Sequence, residues 1–143
     1  FGVNSIELHY ILRWTSTHIK NNEKIVVGYI ADQSPHWHSI NHWKNFLNHD
    51  TPVFTGTERI TKKYDCQAYF VDVKRAKRGY YDAKFIKMHD NPKSLPDFEL
   101  TDIYFDLLES TIQRDPAYYL WSHNRFKRTR EEYNRIKETE QQK

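Results

Sequence analysis

Glycine is scarce in this chain: four residues in 143, Gly2, Gly28, Gly56 and Gly79, each more than twenty positions from the next. Dinucleotide fingerprints and phosphate-cradling P-loops need clustered glycines, so both are excluded. A single cysteine, Cys66, excludes an internal disulfide and a four-cysteine zinc site, and points to a reducing compartment. No apolar run approaches the roughly 18 residues of a spanning helix, and no basic-then-apolar leader opens the sequence. The first residue is Phe1 rather than Met, so the numbering is expected to begin inside a longer polypeptide. Aliphatic side chains are also thin. Hydrophobic residues make up 38% of the chain, but ten Tyr, eight Phe and four Trp are among them. With a mean hydropathy of −0.91, the aromatics must carry much of any core. The length suits one domain or part of one. A net charge of +3 is too small to name a partner, so the distribution of charge matters more than its total.

Residues 4–20 read as an amphipathic helix, with Asn4 and Glu7 at capping-box spacing and Ile6, Leu8, Tyr10, Ile11, Leu12 and Trp14 on its apolar side. Lys24 to Ile30 is a continuous apolar run, which predicts a strand buried on both faces and hence parallel. The spacing of Trp37, Ile40, Trp43 and Leu47 predicts a helix over 36–48, with a loop at His49 to Pro52. Thr57 is expected to cap a short helix to Lys63. Cys66 to Val73 and Tyr80 to Met88 read as a hairpin, and residues 89–98 as a loop. Thr101 is expected to cap a helix to Arg114 that turns Ile103, Leu107, Leu108 and Ile112 inward. From Arg125 onward the chain is charged and nearly free of apolar residues, an exposed or frayed helix.

Four constellations bear on chemistry. Asp32-Gln33-Ser34-Pro35 follows the apolar run, where open α/β sheets place their ligands. Its carboxylate and amide suit a substrate hydroxyl, and equally suit capping the next segment. His36, His38, His42 and His49 form a second group. His38 and His42 would share a helix face, but zinc usually needs three placed ligands, and surface or hydrogen-bonded histidines are the better reading, with no metal expected. His18 and Glu23 have the spacing of an acyltransferase dyad, yet eight histidines among nineteen acids make such a match expected by chance. Two basic clusters, Lys74 to Arg78 and Arg125 to Arg130, each hold four cations with aromatics nearby and suit phosphate, whether in nucleic acid, lipid headgroup or carrier.

Tyr119-Leu120-Trp121-Ser122-His123-Asn124-Arg125-Phe126-Lys127 resembles the C-terminal signature of the lipid A biosynthesis acyltransferases, the late lauroyl and myristoyl acyltransferases of Gram-negative bacteria. Pro116 stands where that family has its proline. Three weaker blocks agree in order: the run ending in Ala31-Asp32-Gln33, then Pro52-Val53-Phe54-x-Gly56, then Cys66 to Val73. The resemblance spans about residues 24–127. It implies an α/β fold, the C-terminal portion of a glycerolipid-acyltransferase-like domain with a mixed sheet and flanking helices. Residues 1–124 would belong to that domain and residues 125–143 would form a charged helix or tail.

The resemblance also implies that a His-x-x-x-x-Asp/Glu dyad activates an acceptor hydroxyl, which attacks the thioester of acyl-carrier protein or acyl-CoA. In the family the dyad lies several dozen residues before the Asp32-like turn. His18 is not at that place, so the dyad is expected upstream of Phe1 and the chain alone is expected to be inactive. Asp32, Gln33, Arg125 and Lys127 would bind the lipid A precursor or carrier. Trp121, His123 and Gly56 would support that site or the fold, and no cofactor is implied. The expected location is the cytoplasmic face of the inner membrane, held peripherally with an anchor elsewhere. The longer stretch from His36 to Asn48 departs from the family pattern and is expected to meet the membrane or the acyl chain. The competing reading is a small basic module for RNA or single-stranded DNA, which leaves Trp121 to Lys127 unexplained.

Overall fold

Aromatic rings do most of the filling in the computed structural model, which describes residues 5–7 and 10–141. Phe46, Phe70 and Phe105 join Val53, Leu108 and Ile112 in one buried cluster. The Phe46 and Phe105 rings meet edge to face at 5.2 Å, and Tyr104 packs edge-on against both Phe105 and Phe70. Such pairs add to simple area burial, which compensates for the shortage of aliphatics.

Among the described residues there are four helices, α1 (Ile11–Lys20), α2 (Gly56–Tyr64), α3 (Glu99–Arg114) and α4 (Arg130–Gln141). Two antiparallel hairpins accompany them, β1 (His42–Phe46) with β2 (His49–Val53), and β3 (Tyr69–Lys77) with β4 (Tyr80–Lys87). The chain is mixed α/β, as its resemblance implied. Helix α3 lies against β1 and β3 and turns Leu100, Phe105, Leu108 and Ile112 into the core, while Ile103 and Leu107 are half-buried.

Several expectations need correction. The first helix begins at Ile11, with Ile6 outside it, and Asn4 and Leu8 lie outside the described residues. Lys24 to Ile30 joins neither sheet. It alternates instead, with Ile25, Val27 and Tyr29 half-buried while Val26 and Ile30 are 98% and 78% exposed. A parallel strand needs a neighbour reached by a crossover, and both described sheets are closed hairpins.

Residues 36–48 are not a helix. A single 3-10 turn, Trp37–Ser39, leads into β1, and the expected loop at His49 is strand β2. The two residues between the strands, Leu47 and Asn48, both have positive φ, 52° and 63°, which suits the right-handed twist of a two-residue hairpin. Asn adopts this region readily and Leu does not. The Leu47 N–H donates to the Glu109 carboxylate on α3, which holds the turn to the body.

Helix α3 is capped by a residue distant in sequence. Thr101 is not its first-turn cap; the helix starts at Glu99, after Phe98 at φ 70°. The Glu58 carboxylate on α2 accepts from the Phe98 N–H at 2.8 Å, the Thr101 N–H at 2.9 Å and the Thr101 hydroxyl at 2.6 Å. A buried carboxylate from α2 thus takes over the cap, favoured by the positive end of the helix dipole.

Candidate functional site

The segment after α3 is built to fold back. Pro116 starts a single 3-10 turn, and the Trp121 indole N–H donates to the Pro116 carbonyl at 2.6 Å. The Tyr119 and Trp121 rings pack edge to face, so the proline and the aromatic pair close one small loop. Beyond it the chain runs across the turn at Asp32 to Pro35 and over β1 and β2.

The crossing is held by arginines stacked on aromatic rings. Arg125 is only 4% exposed; its guanidinium lies over the rings of Phe46 at 5.7 Å and Tyr119 at 5.3 Å. One Nη donates to the Asp32 carboxylate at 3.2 Å. Arg128 lies over Trp37 and donates to the Ser34 hydroxyl at 3.1 Å. Arg130 lies over Trp43 and forks onto the Asp50 carboxylate, with one bond of 2.8 Å. A planar guanidinium satisfies a ring face and a carboxylate together, which an ammonium does not. His123 completes the junction: its Nε2 accepts from the Ser34 N–H at 3.3 Å, which in the neutral ring leaves the proton on Nδ1. Farther on, Tyr133 of α4 packs on Trp43 and donates to the Ile40 carbonyl.

Burial shapes the electrostatics. Desolvation pushes the Tyr119 phenol up to about 12, with Arg125 opposing and Asp32 assisting. The Tyr104 phenol is pushed up too, by burial and then by Asp32. Both stay neutral at physiological pH, so Asp32 and Arg125 are the opposed charges of this junction. The Arg125 Nε has no hydrogen-bond partner among the described residues, a cost the ring stacking must offset.

Residues 1–128 match the family described as bacterial lipid A biosynthesis acyltransferase. The chain belongs to that family. No individual curated protein matches it. As a lipid A biosynthesis acyltransferase, its activity class is acyl transfer to a lipid A-type acceptor. The two sequence blocks that carry the resemblance furthest apart, Asp32-Gln33 and Trp121 to Lys127, meet in one place.

The structure divides the expected site residues of this acyltransferase into two groups. Asp32, Arg125 and His123 are bonded into the junction, and Arg125 is turned inward. Gln33 and Lys127 are exposed beside it, and Lys127 makes no ion pair or hydrogen bond with the described residues. Trp121 is 53% exposed although its N–H is bonded. Gly56 is the exposed first residue of α2, with nothing within 4 Å of where a Cβ would stand.

His18 and Glu23 do meet: the His18 Nδ1 hydrogen-bonds the Glu23 carboxylate, which also accepts from Asn21 at 3.1 Å. Those bonds, His18 first, hold the Glu23 carboxyl below its usual value. The pair lies at the end of α1, with Trp14 against the imidazole. His38 and His42 share no helix; His42 instead stacks on Phe98 and bonds Asp102 at 2.8 Å. Among the described residues no three His, Cys, Asp or Glu side chains are grouped to hold a metal ion, and no helix is long and apolar enough to cross a membrane. Sequence reading missed Ser34, Phe46 and Trp37 as partners of the signature. The available signal was the pairing of surplus tryptophan with a run of arginine.

Proposed function

We propose that this chain forms the acceptor-binding part of a lipid A acyltransferase, with the reaction's general base supplied from outside these 143 residues. The observation that carries the reading is the docking of the Trp121 to Lys127 signature on the Asp32 to Pro35 turn. Arg125 and His123 act as positioning residues, because both are occupied with the turn itself. Gln33 and Lys127 are the exposed polar groups left to meet the acceptor, the amide for a sugar hydroxyl and the ammonium for a phosphate.

In the reaction the acceptor hydroxyl loses its proton to the base and attacks the thioester carbonyl of acyl-carrier protein or acyl-CoA. A C–O bond forms, the C–S bond breaks, and the thiolate leaves with a proton. The contact of the signature's own histidine supports an outside base: His123 is taken up by the turn, accepting from Ser34. The location follows the same proposal, at the cytoplasmic face of an inner membrane in a Gram-negative cell.

The test is titration of the chain with a phosphorylated lipid A precursor, followed by tryptophan fluorescence. Saturable binding that weakens about tenfold in Lys127→Ala, the loss of one charge-assisted contact, is expected. Binding indifferent to Lys127→Ala and Gln33→Ala, or preference for a single-stranded RNA oligonucleotide, would refute the reading.

A second reading has one observation in its favour. The His18–Glu23 contact has the form of a base held by its carboxylate, and under this reading the chain carries its own dyad. Replacement of His18 separates the two.

A further inference from the structure

The β3–β4 hairpin extends well past the core. Only Phe70 and Asp72 of β3 are buried, and in β4 only Ile86 is half-buried. Alternation assigns Phe70, Asp72, Ile86 and Lys84 to the inward face. The opposite face carries Val71 across from Phe85, Val73 across from Ala83, and Arg75 across from Tyr81. Phe85 and Tyr81 are 67% and 65% exposed, and Tyr69, Val71 and Val73 are exposed beside them. An apolar face of this extent on a two-stranded sheet marks an interaction surface.

Charge is concentrated at one end of it. Lys74, Arg75, Lys77 and Arg78 surround the turn at Gly79, whose φ of 80° suits glycine. Lys74, Lys77 and Arg78 form no ion pair with the described residues; Lys77 lies over the Tyr80 ring at 4.3 Å. Arg75 donates to the Tyr118 hydroxyl at 3.2 Å, which joins the hairpin to a second exposed set, Tyr118, Leu120 and Trp121.

We propose that this hairpin face docks on an anionic lipid bilayer, with Val71, Val73, Tyr81 and Phe85 entering the interfacial layer and the basic tip on the headgroup phosphates. Charge complementarity selects this occupant. A nucleic acid needs cations along the path of its backbone, interleaved with stacking rings, whereas on this face the unpaired cations gather at the tip, with Lys87 held by Asp90 and Lys84 on the other face, and valines interrupt the aromatics. A second copy would bring like-charged tips into the same interface. Aromatic rings beside lysine and arginine suit the headgroup boundary, and each cation near an anionic surface adds a similar increment of binding. The inference goes beyond the acceptor site and stands without it, because the assay contains no acyl acceptor.

The experiment is co-sedimentation of the 143-residue chain with vesicles of phosphatidylcholine alone and of phosphatidylcholine with phosphatidylglycerol. Binding to the anionic vesicles only is expected, weakened by more than about thirtyfold in the double variant Lys77→Glu/Arg78→Glu and reduced by added salt. Tyr81→Ser/Phe85→Ser also weakens binding, while its unfolding curve matches the parent because both side chains face solvent. Equal binding to both vesicle types, or binding untouched by either variant, overturns the proposal. So does a concentration-dependent dimer that Phe85→Ser dissolves, or tighter capture of a single-stranded RNA that the glutamate variant abolishes.

Discussion

Arg125 and Asp32 meet at 3.2 Å across 93 positions of sequence, and almost none of the arginine is left to solvent. The pair fixes the C-terminal signature to the turn that precedes the β1–β2 hairpin. Arg125→Ala strands the half-buried Asp32 charge and leaves space between Phe46 and Tyr119. A loss of about 3 kcal/mol in urea unfolding is expected. Arg125→Lys keeps the charge without the flat face, and recovers less than half of that loss.

The Glu58 cap on α3 gives a pH signature. Burial pushes the Glu58 carboxyl up, but the Lys62 and Thr101 hydrogen bonds outweigh it and hold the group below its ordinary 4.5. Asp72 is also held low, chiefly by its bonds to Arg114. A carboxylate with a depressed folded value adds stability that is complete above the unfolded value and lost as pH falls through the folded one. The melting temperature is therefore expected to be level above about pH 4.5 and to fall below it. Glu58→Gln lowers the stability above that pH by about 2 kcal/mol and makes the acid fall shallower, as read from urea unfolding across pH.

Much of the fold was legible where sequence spacing and contacts agree. The β3–β4 hairpin and α3 follow their patterns because each buries one face on a neighbour in the way periodicity assumes. The β1–β2 hairpin did not, because Trp37, Ile40, Trp43 and Leu47 mimic helical spacing while serving other partners. Trp37 and Trp43 face Arg128 and Arg130 from the far end of the chain, contacts no local window contains. The signature itself was readable as a motif; its docking on Ser34 and Asp32 was not, since it depends on a fold-back across 89 and 93 positions.

Gly56→Ala separates fold from function at the second family block. No atom lies near the added methyl group, and α2 begins at this residue. The variant is expected to be more stable by about 0.5 kcal/mol in urea unfolding. Weaker binding of a lipid A precursor by this stable variant would assign Gly56 to the acceptor.

His18→Ala addresses the dyad-like contact between His18 and Glu23. The Glu23 side chain is about half open to solvent, so its bond to His18 contributes little to folding. A melting curve close to the parent is expected, together with unchanged binding of the lipid A precursor.

The reaction itself is the most direct measurement. Mass spectrometry can follow acyl transfer from acyl-carrier protein or acyl-CoA to a lipid A precursor, comparing this 143-residue chain with the same chain joined to whatever its gene encodes upstream of Phe1. With the base outside these residues, product is expected from the longer polypeptide alone, and is lost there in Asp32→Ala. Acylated product from the 143-residue chain by itself, abolished by His18→Ala, would contradict the account.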